Sequence, residues 1–306
     1  MTVAHPHYLR PLFEPQSVAV IGASERPGAV GTLLLSNLRA ARFEGPLHAV
    51  NPRHARVQGI ACHADVASLP APVDLAVIAT PAQTVPGLIA DCGRRGIRTA
   101  LVVSAGFAEV GAPGSALERE LVAVARRARV RVLGPNCLGV MRPALGLNAT
   151  FSHAAASAGS LALVSQSGAV CTAFVDWART QGLGFSSVIS LGASADIDFG
   201  EILDYLVNDE QTQHILLCVE GIRDARRFVS GLRAAARAKP VIVIKSGRHP
   251  LAQCAQRSRT PAPSSVPTTP SMPPCSAGAV RVDTLGQLVS RRRRCPPMRP
   301  RGHQPP

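Results

Sequence analysis

Four stretches of this 306-residue chain combine small, flexible and polar residues in a way that suits chemistry on phosphate groups. The first is Gly22-Ala23-Ser24-Glu25-Arg26-Pro27-Gly28-Ala29-Val30-Gly31, which follows an apolar run and precedes a helical pattern. Gly22, Gly28 and Gly31 let backbone N–H groups approach a phosphate where a helix begins. A tight turn that binds nothing has the same composition. The second is Asn51-Pro52-Arg53, closing the next apolar run. A nicotinamide site usually carries Asp or Glu there for the ribose hydroxyls. Arg53 instead favours a phosphorylated ribose, which NADP and coenzyme A both have.

The third stretch, Val164-Ser165-Gln166-Ser167-Gly168, repeats the strand-to-helix turn with hydroxyls added. It is a candidate phosphate cradle, with Ser167 as a plain helix N-cap the competing reading. The fourth is Glu220 in Cys218-Val219-Glu220-Gly221-Ile222-Arg223-Asp224. A carboxylate directly after a buried strand can accept a hydrogen bond from an imidazole and hold it oriented; a solvated loop glutamate is the alternative. Smaller polar turns occur at Thr80-Pro81, Ser104-Ala105-Gly106-Phe107 and Gly134-Pro135-Asn136-Cys137-Leu138-Gly139. Cys137 is a candidate nucleophile, although a lone cysteine more often packs. Asp196 through Asp204 reads as an exposed helix start. No residue set is nominated as a metal site.

The elements that would position these residues alternate regularly. Strands are expected at Ser17–Ile21, Leu47–Val50, Val73–Ala79, Arg98–Val103 and Val130–Leu133, with helices near 28–41, 82–94 and 114–128. Continuous apolar strands alternating with helices mean a parallel sheet covered on both faces, so this part is Rossmann-like and the turns above share its carboxyl edge. A loop-rich stretch separates it from a second series. That series has strands at Leu161–Val164, Ser186–Ser190, Ile215–Val219 and Pro240–Lys245, and helices at 168–181, 199–207 and 225–238. The fold class is α/β throughout: a Rossmann-like domain over 1–140, a linker over 141–158, and an incomplete flavodoxin-like domain over 159–248. A disordered, basic, Pro-rich tail is expected over 249–306.

Composition narrows the functional classes. The chain carries 33 Lys+Arg against 19 Asp+Glu, a net charge of +14, with pI near 10.8. Such a value ordinarily points to nucleic acid. Yet Pro250–Pro306 holds nine arginines and one acid, Asp283, so +8 of the excess lies in the last 57 residues. The body is only mildly basic, and neither a nucleic-acid nor a membrane partner is expected. No apolar run is long enough for a transmembrane helix, and the N-terminus lacks the apolar core of a signal peptide. The eight cysteines form no CxxC pair, which favours reduced thiols in the cytoplasm.

Taken in order, SVAVIGAS, AVNPR, VSAGFAE, GPNCLG, LVSQSGA, EGIRDARRF and VIVIKSGR resemble the NDP-forming acyl-CoA synthetases, which are similar to the α subunit of succinyl-CoA synthetase. The likeness covers about residues 10–248. It implies a CoA-binding domain followed by a succinyl-CoA-ligase-like flavodoxin domain. By resemblance Gly22, Ala23, Ser24, Arg53, Thr80, Ala105, Gly106 and Asn136 line the CoA site. The neighbouring Gly28, Gly31, Asn51, Pro52, Ser104, Phe107 and Cys137 join them. Ser165, Gln166, Ser167 and Gly168 would hold the phosphoryl group of a phosphohistidine, and Glu220 would orient that histidine. The partners implied are a CoA thioester, phosphate and an ATP-grasp domain or subunit, through which ATP or ADP and Mg enter; an oligomer is compatible with this. The chain also resembles the amino-terminal region of protein lysine acetyltransferases that append a GNAT domain. In that alternative it is a non-catalytic, acyl-CoA-binding regulatory region.

The chain departs from the family after Lys245-Ser246-Gly247-Arg248. About ten residues later the family has a motif like Ser-His-Thr-Gly-Ala, whose His is phosphorylated; here Arg259 stands near that place and His249 comes too early. As printed, the chain is therefore expected to be inactive alone. Ser258–Ala277 has low-complexity composition. One compatible back-translation in GC-rich codons, with the third bases chosen freely and read from the third base, gives Ala-His-Thr-Gly-Ala and a helical stretch. Compensating frame changes around 250–277, and another near 290, are the expectation; a genuine basic tail for RNA or membrane is the rival. Gly278–Leu288 reads as family-like in the printed frame.

Overall fold

The computed structural model describes residues 7–70, 72–245 and 280–282. A single helical turn, α1 (Arg10–Phe13), buries Leu12 and Phe13 and leads into β1 (Val18–Ile21), whose four residues are all buried. Then follow α2 (Val30–Ala40), β2 (Leu47–Val50), β3 (Arg56–Val57), β4 (Ile60–His63) and β5 (Leu75–Ile78). The first domain continues through α3 (Val85–Arg94), β6 (Thr99–Val102), α4 (Ala112–Ala128) and β7 (Arg131–Leu133). Helix α4 starts with Pro113 in its first turn, where a missing N–H costs nothing. It ends on Arg129 in the left-handed region, with Arg126 and Arg127 near its negative pole. The sheet order is β3-β4-β2-β1-β5-β6-β7, parallel except for β3 against β4.

The second sheet begins earlier than the sequence suggests. β8 (Gly139–Arg142), which straddles the boundary placed at 140/141, and β9 (Leu147–Thr150), within the stretch read as a linker, form an antiparallel pair, and β8 pairs with β11. Their eight residues are all buried. After them come β10 (Ala158–Ser165), α5 (Gly168–Thr180), β11 (Phe185–Ser190), α6 (Phe199–Asn208), β12 (His214–Val219), α7 (Ala225–Ala238) and β13 (Val241–Lys245). A further strand, β14 (Val280–Val282), pairs in parallel with β13, so the strand read as last is not the sheet's edge. The order is β14-β13-β12-β10-β11-β8-β9. The remainder of 246–306, including the proposed frame changes, Arg259 and His249, lies outside the described residues.

The two domains share one core. An apolar cluster joins Leu9, Phe13, Val18, Leu101 and Leu133 on one side to Val164, Ile189, Ile197, Phe199 and Ile202 on the other. Polar contacts close its border. Asn37 Nδ2 donates to the carbonyls of Thr150 and Ser152, both at 2.8 Å. Arg131 pairs with Asp196 at 2.9 Å and with buried Glu201 at 2.6 Å. The acidic segment before α6 is therefore not the exposed helix start expected. Asp198 and Glu201 form a capping box and both are buried, Glu201 being held by Arg131 and Tyr8 of the first domain and by Arg227 of the second, whereas Asp204 is exposed. Among the described residues no helix is long and apolar enough to cross a membrane.

Candidate functional site

Strands β1 and β10 are the switch points of their sheets, each having crossovers to both sides, and ligands in open α/β sheets bind beyond the carboxyl ends of such strands. The turn after β1 is built from backbone contact. Gly22 has φ +92°, and a Cβ there would lie 2.5 Å from the Ala79 carbonyl oxygen. A Cβ on Gly31 would lie 2.0 Å from the Gly22 carbonyl oxygen, so the first turn of α2 rests directly on the end of β1. Thr32 Oγ1 donates to the Ser24 and Arg26 carbonyls, and Ser24 Oγ accepts the Arg26 N–H at 3.1 Å. Asn51 Nδ2 reaches across to the Ala23 carbonyl at 2.7 Å, while its Oδ1 accepts the Arg53 N–H at 2.9 Å. Pro52 and Arg53 are exposed on the rim of this turn, as is Gly28.

The neighbouring turns extend the same edge. Thr80 Oγ1 and Thr84 Oγ1 are 2.8 Å apart. Gly106 donates its N–H to Glu109 Oε1, and the Asn136 N–H bonds the Ser104 carbonyl at 3.0 Å. Ala105 and Asn136 are exposed on this edge. Ala23, Ser104, Phe107 and Cys137 are buried; Phe107 belongs to the core of the first domain. The Cys137 thiol donates to the Val102 carbonyl at 3.3 Å, and burial pushes its pKa up to about 12. Phe107 and Cys137 thus shape the edge from behind, and Cys137 lacks the thiolate character of a nucleophile.

The second cradle adjoins the Gly134–Leu138 turn. A Cβ on Gly168, at the start of α5, would lie 3.0 Å from Leu138 Cβ, two residues after Asn136. Ala193 and Ala195 also donate their N–H groups to the Pro135 and Gly134 carbonyls, at 2.9 and 3.0 Å. Within the cradle Ser165 Oγ is buried and accepts the Ser167 N–H at 3.0 Å. Ser167 Oγ caps α5 by accepting the Val170 N–H at 3.3 Å, so the N-cap reading is realised in the structure. Gln166 turns away from α5. Its Oε1 accepts the N–H groups of Glu220 at 2.9 Å and Gly221 at 3.0 Å, and Lys245 Nζ donates to the Glu220 carbonyl. The structure therefore brings Glu220 to the Ser165–Gly168 turn. The Glu220 carboxyl reaches solvent, and partial desolvation raises its pKa despite the nearby Lys245.

Sequence reasoning missed Glu109, which supports Gly106, and Glu118, a helical residue carrying no pattern signal. Arg223 was visible only as part of the Glu220 motif. Among the described residues no group of three His, Cys, Asp or Glu side chains is placed to hold a metal.

Known proteins match both domains. Residues 16–143 match the family described as CoA binding domain, and residues 158–293 match the succinyl-CoA ligase like flavodoxin domain. The chain thus carries a CoA-binding domain followed by a succinyl-CoA-ligase-like flavodoxin domain. It is 46% identical over 237 residues to the ADP-forming acetate–CoA ligase I of Archaeoglobus fulgidus, covering 78% of this chain and 34% of that protein. It is 38% identical over 283 residues to the α subunit of the ADP-forming acetate–CoA ligase I of Pyrococcus furiosus, covering 91% and 61%. Among solved structures it resembles the acetyl-coenzyme A synthetase 1 of Candidatus Korarchaeum cryptofilum, described in complex with phosphate and ADP. The TM-score is 0.83 at 35% identity, covering 91% of this chain and 60% of that one. The chain thus spans less than two thirds of each of these relatives. All three are ligases or synthetases, and the acetyltransferase alternative gains no support from them.

Proposed function

We propose that this chain is the CoA-binding and phosphoryl-relay portion of an ADP-forming acyl-CoA ligase. The observation that carries the reading is the Gln166 bridge, which holds Glu220 beside Ser165–Gly168 at the edge shared with Asn136 and the CoA turns. Gly22, Ala23, Ser24, Asn51 and Arg53 would hold the nucleotide end of CoA, with Arg53 on the ribose phosphate. Thr80, Ala105, Gly106 and Asn136 would face the thioester end. The α5 N-terminus, with Ser167 as hydroxyl donor, would hold phosphate, and buried Ser165 would support the turn from behind by accepting the Ser167 N–H.

In the family reaction, phosphate displaces CoA from the thioester to give acyl phosphate. An imidazole then takes the phosphoryl group and releases the carboxylate, and ADP accepts it to form ATP. An imidazole suits the middle step because it attacks as a neutral nucleophile and leaves as a charged group. Glu220 would accept its remaining N–H and fix the orientation. The nucleotide step, with ADP and Mg, belongs to an ATP-grasp partner, and the compartment is the cytoplasm.

The experiment is incubation with γ-labelled ATP and an ATP-grasp subunit. The chain as printed should carry no label. A version with the Ser-His-Thr-Gly-Ala motif restored should carry acid-labile phosphate on that His. Absence of label on the restored version would contradict the relay.

A further inference from the structure

We infer that the ion pair between Glu118 and Arg223 is a positioning device: it ties the loop carrying Glu220 to the CoA-binding domain, so that both residues act on the relay through Glu220. The inference rests on the functional reading above and names residues that reading does not use.

Arg223 Nη2 lies 2.7 Å from Glu118 Oε1, across the boundary between the domains. Glu118 sits in the middle of α4, where the other buried positions are Gly114, Leu121 and Ala125. Its Oε2 is buried and has no hydrogen-bond partner. A buried carboxylate held on one side only is an expensive choice for stability, since an apolar side chain of similar volume would serve the core at least as well. Such a group calls for a role beyond packing.

The placement of Arg223 supplies one. The loop from Glu220 to Asp224 is fastened at its start by Gln166 and at its end by Asp224, whose Oδ1 accepts the Arg227 N–H at 2.9 Å to cap α7. Both of those ties lie within the second domain. Arg223 adds a tie to the first, through a side chain half exposed to solvent.

On the other side of the pair, α4 touches the CoA edge without intervening side chains. A Cβ on Gly114 would lie 1.8 Å from the Phe107 carbonyl oxygen. Gly114 and Glu118 are one helical turn apart and share a face. A contiguous rigid path therefore runs from the Ser104–Phe107 turn through α4 and Arg223 to Glu220. If ligand at the turn and order in the loop are linked, the linkage is reciprocal.

The test measures amide hydrogen exchange at Glu220 and Gly221, with and without CoA, in the full chain. Calorimetry of CoA binding accompanies it. The variants are Glu118→Gln, Arg223→Gln, Arg223→Lys and the double Glu118→Gln/Arg223→Gln. In the unmodified chain CoA should slow exchange at the two amides at least about fivefold, a typical coupling. Each single Gln variant should lose that slowing while binding CoA within about threefold of the parent. The double variant should be no worse than either single, and Arg223→Lys should retain part of the effect.

Exchange at Leu216–Cys218 in β12 reports folding. If Glu118→Gln unfolds, the half-exposed Arg223 variants carry the test. Slowing that persists in the single variants, additive losses in the double, or no slowing in a parent that binds CoA would each overturn the inference. A parent that binds no CoA would instead overturn the functional reading and remove the basis for this one.

Discussion

Gln166 holds Glu220 in place by its backbone: one side-chain oxygen accepts the N–H groups of Glu220 and Gly221 at 2.9 and 3.0 Å. Two orphan donors at the end of β12 are satisfied from the turn after β10, which joins the proposed phosphate cradle to the carboxylate proposed to orient the imidazole. Gln166→Ala removes both bonds, each worth about 1 kcal/mol net. Orthophosphate affinity, followed by ³¹P line broadening, should fall roughly tenfold. CoA affinity by calorimetry should change less, by no more than about fivefold, because the bridge reaches the CoA turns only through the Glu220 loop. Unaltered phosphate binding would reduce Gln166 to a packing role.

Gly31→Ala should be among the most damaging small substitutions. Its added methyl would meet the Gly22 carbonyl oxygen at 2.0 Å, and the backbone of a strand end cannot yield as a flexible side chain would. Overpacking of this kind costs roughly 1–3 kcal/mol. Urea denaturation should show that loss, and calorimetry should show CoA binding abolished, since α2 must lift off the turn.

These contacts also show what the sequence could and could not disclose. The turns at Gly22–Gly31 and Ser165–Gly168 were legible as strand-to-helix junctions, because glycine and hydroxyl spacing marks where such helices begin. The long apolar strands were legible for the same reason of periodicity. β8 and β9 were not, because Gly139–Thr150 contains Pro143, Gly146 and Asn148, which read as loop, while the β11 residues paired with β8, Val188 with Met141 and Ile189 with Val140, are distant in sequence. The burial of Glu201 was hidden as well, since its ion pair is with Arg131 from the other domain. Composition cannot announce a partner brought in by tertiary structure.

Cys137 should prove inert. With the thiol buried and its pKa pushed up to about 12, almost no thiolate exists at pH 8. Iodoacetamide followed by peptide mapping should label half-buried Cys62 well before Cys92, Cys137, Cys171 and Cys218, which are buried. Cys137→Ala should keep CoA binding within about twofold, at a stability cost of about 1 kcal/mol. Rapid native alkylation of Cys137 would contradict this placement.

Glu220 makes a pH prediction of definite sign. Its carboxyl is raised above the ordinary range by desolvation, so the folded chain binds its proton more tightly than the unfolded chain does. Stability then falls as pH rises from the ordinary carboxylate value through the raised one. Glu220→Gln should raise Tm slightly at pH 7 and leave it unchanged at pH 3, the effect being small because the side chain reaches solvent. A variant less stable at pH 7 would mean that attraction to Lys245 outweighs desolvation.

The central claim is that the turns after β1, β2 and β6 form a CoA site. Calorimetric titration of the chain with CoA, and separately with NADPH, tests it most directly. The predicted result is one CoA per chain, lost in Gly31→Ala, with no heat from NADPH beyond dilution. Saturable NADPH binding without CoA binding would contradict the account.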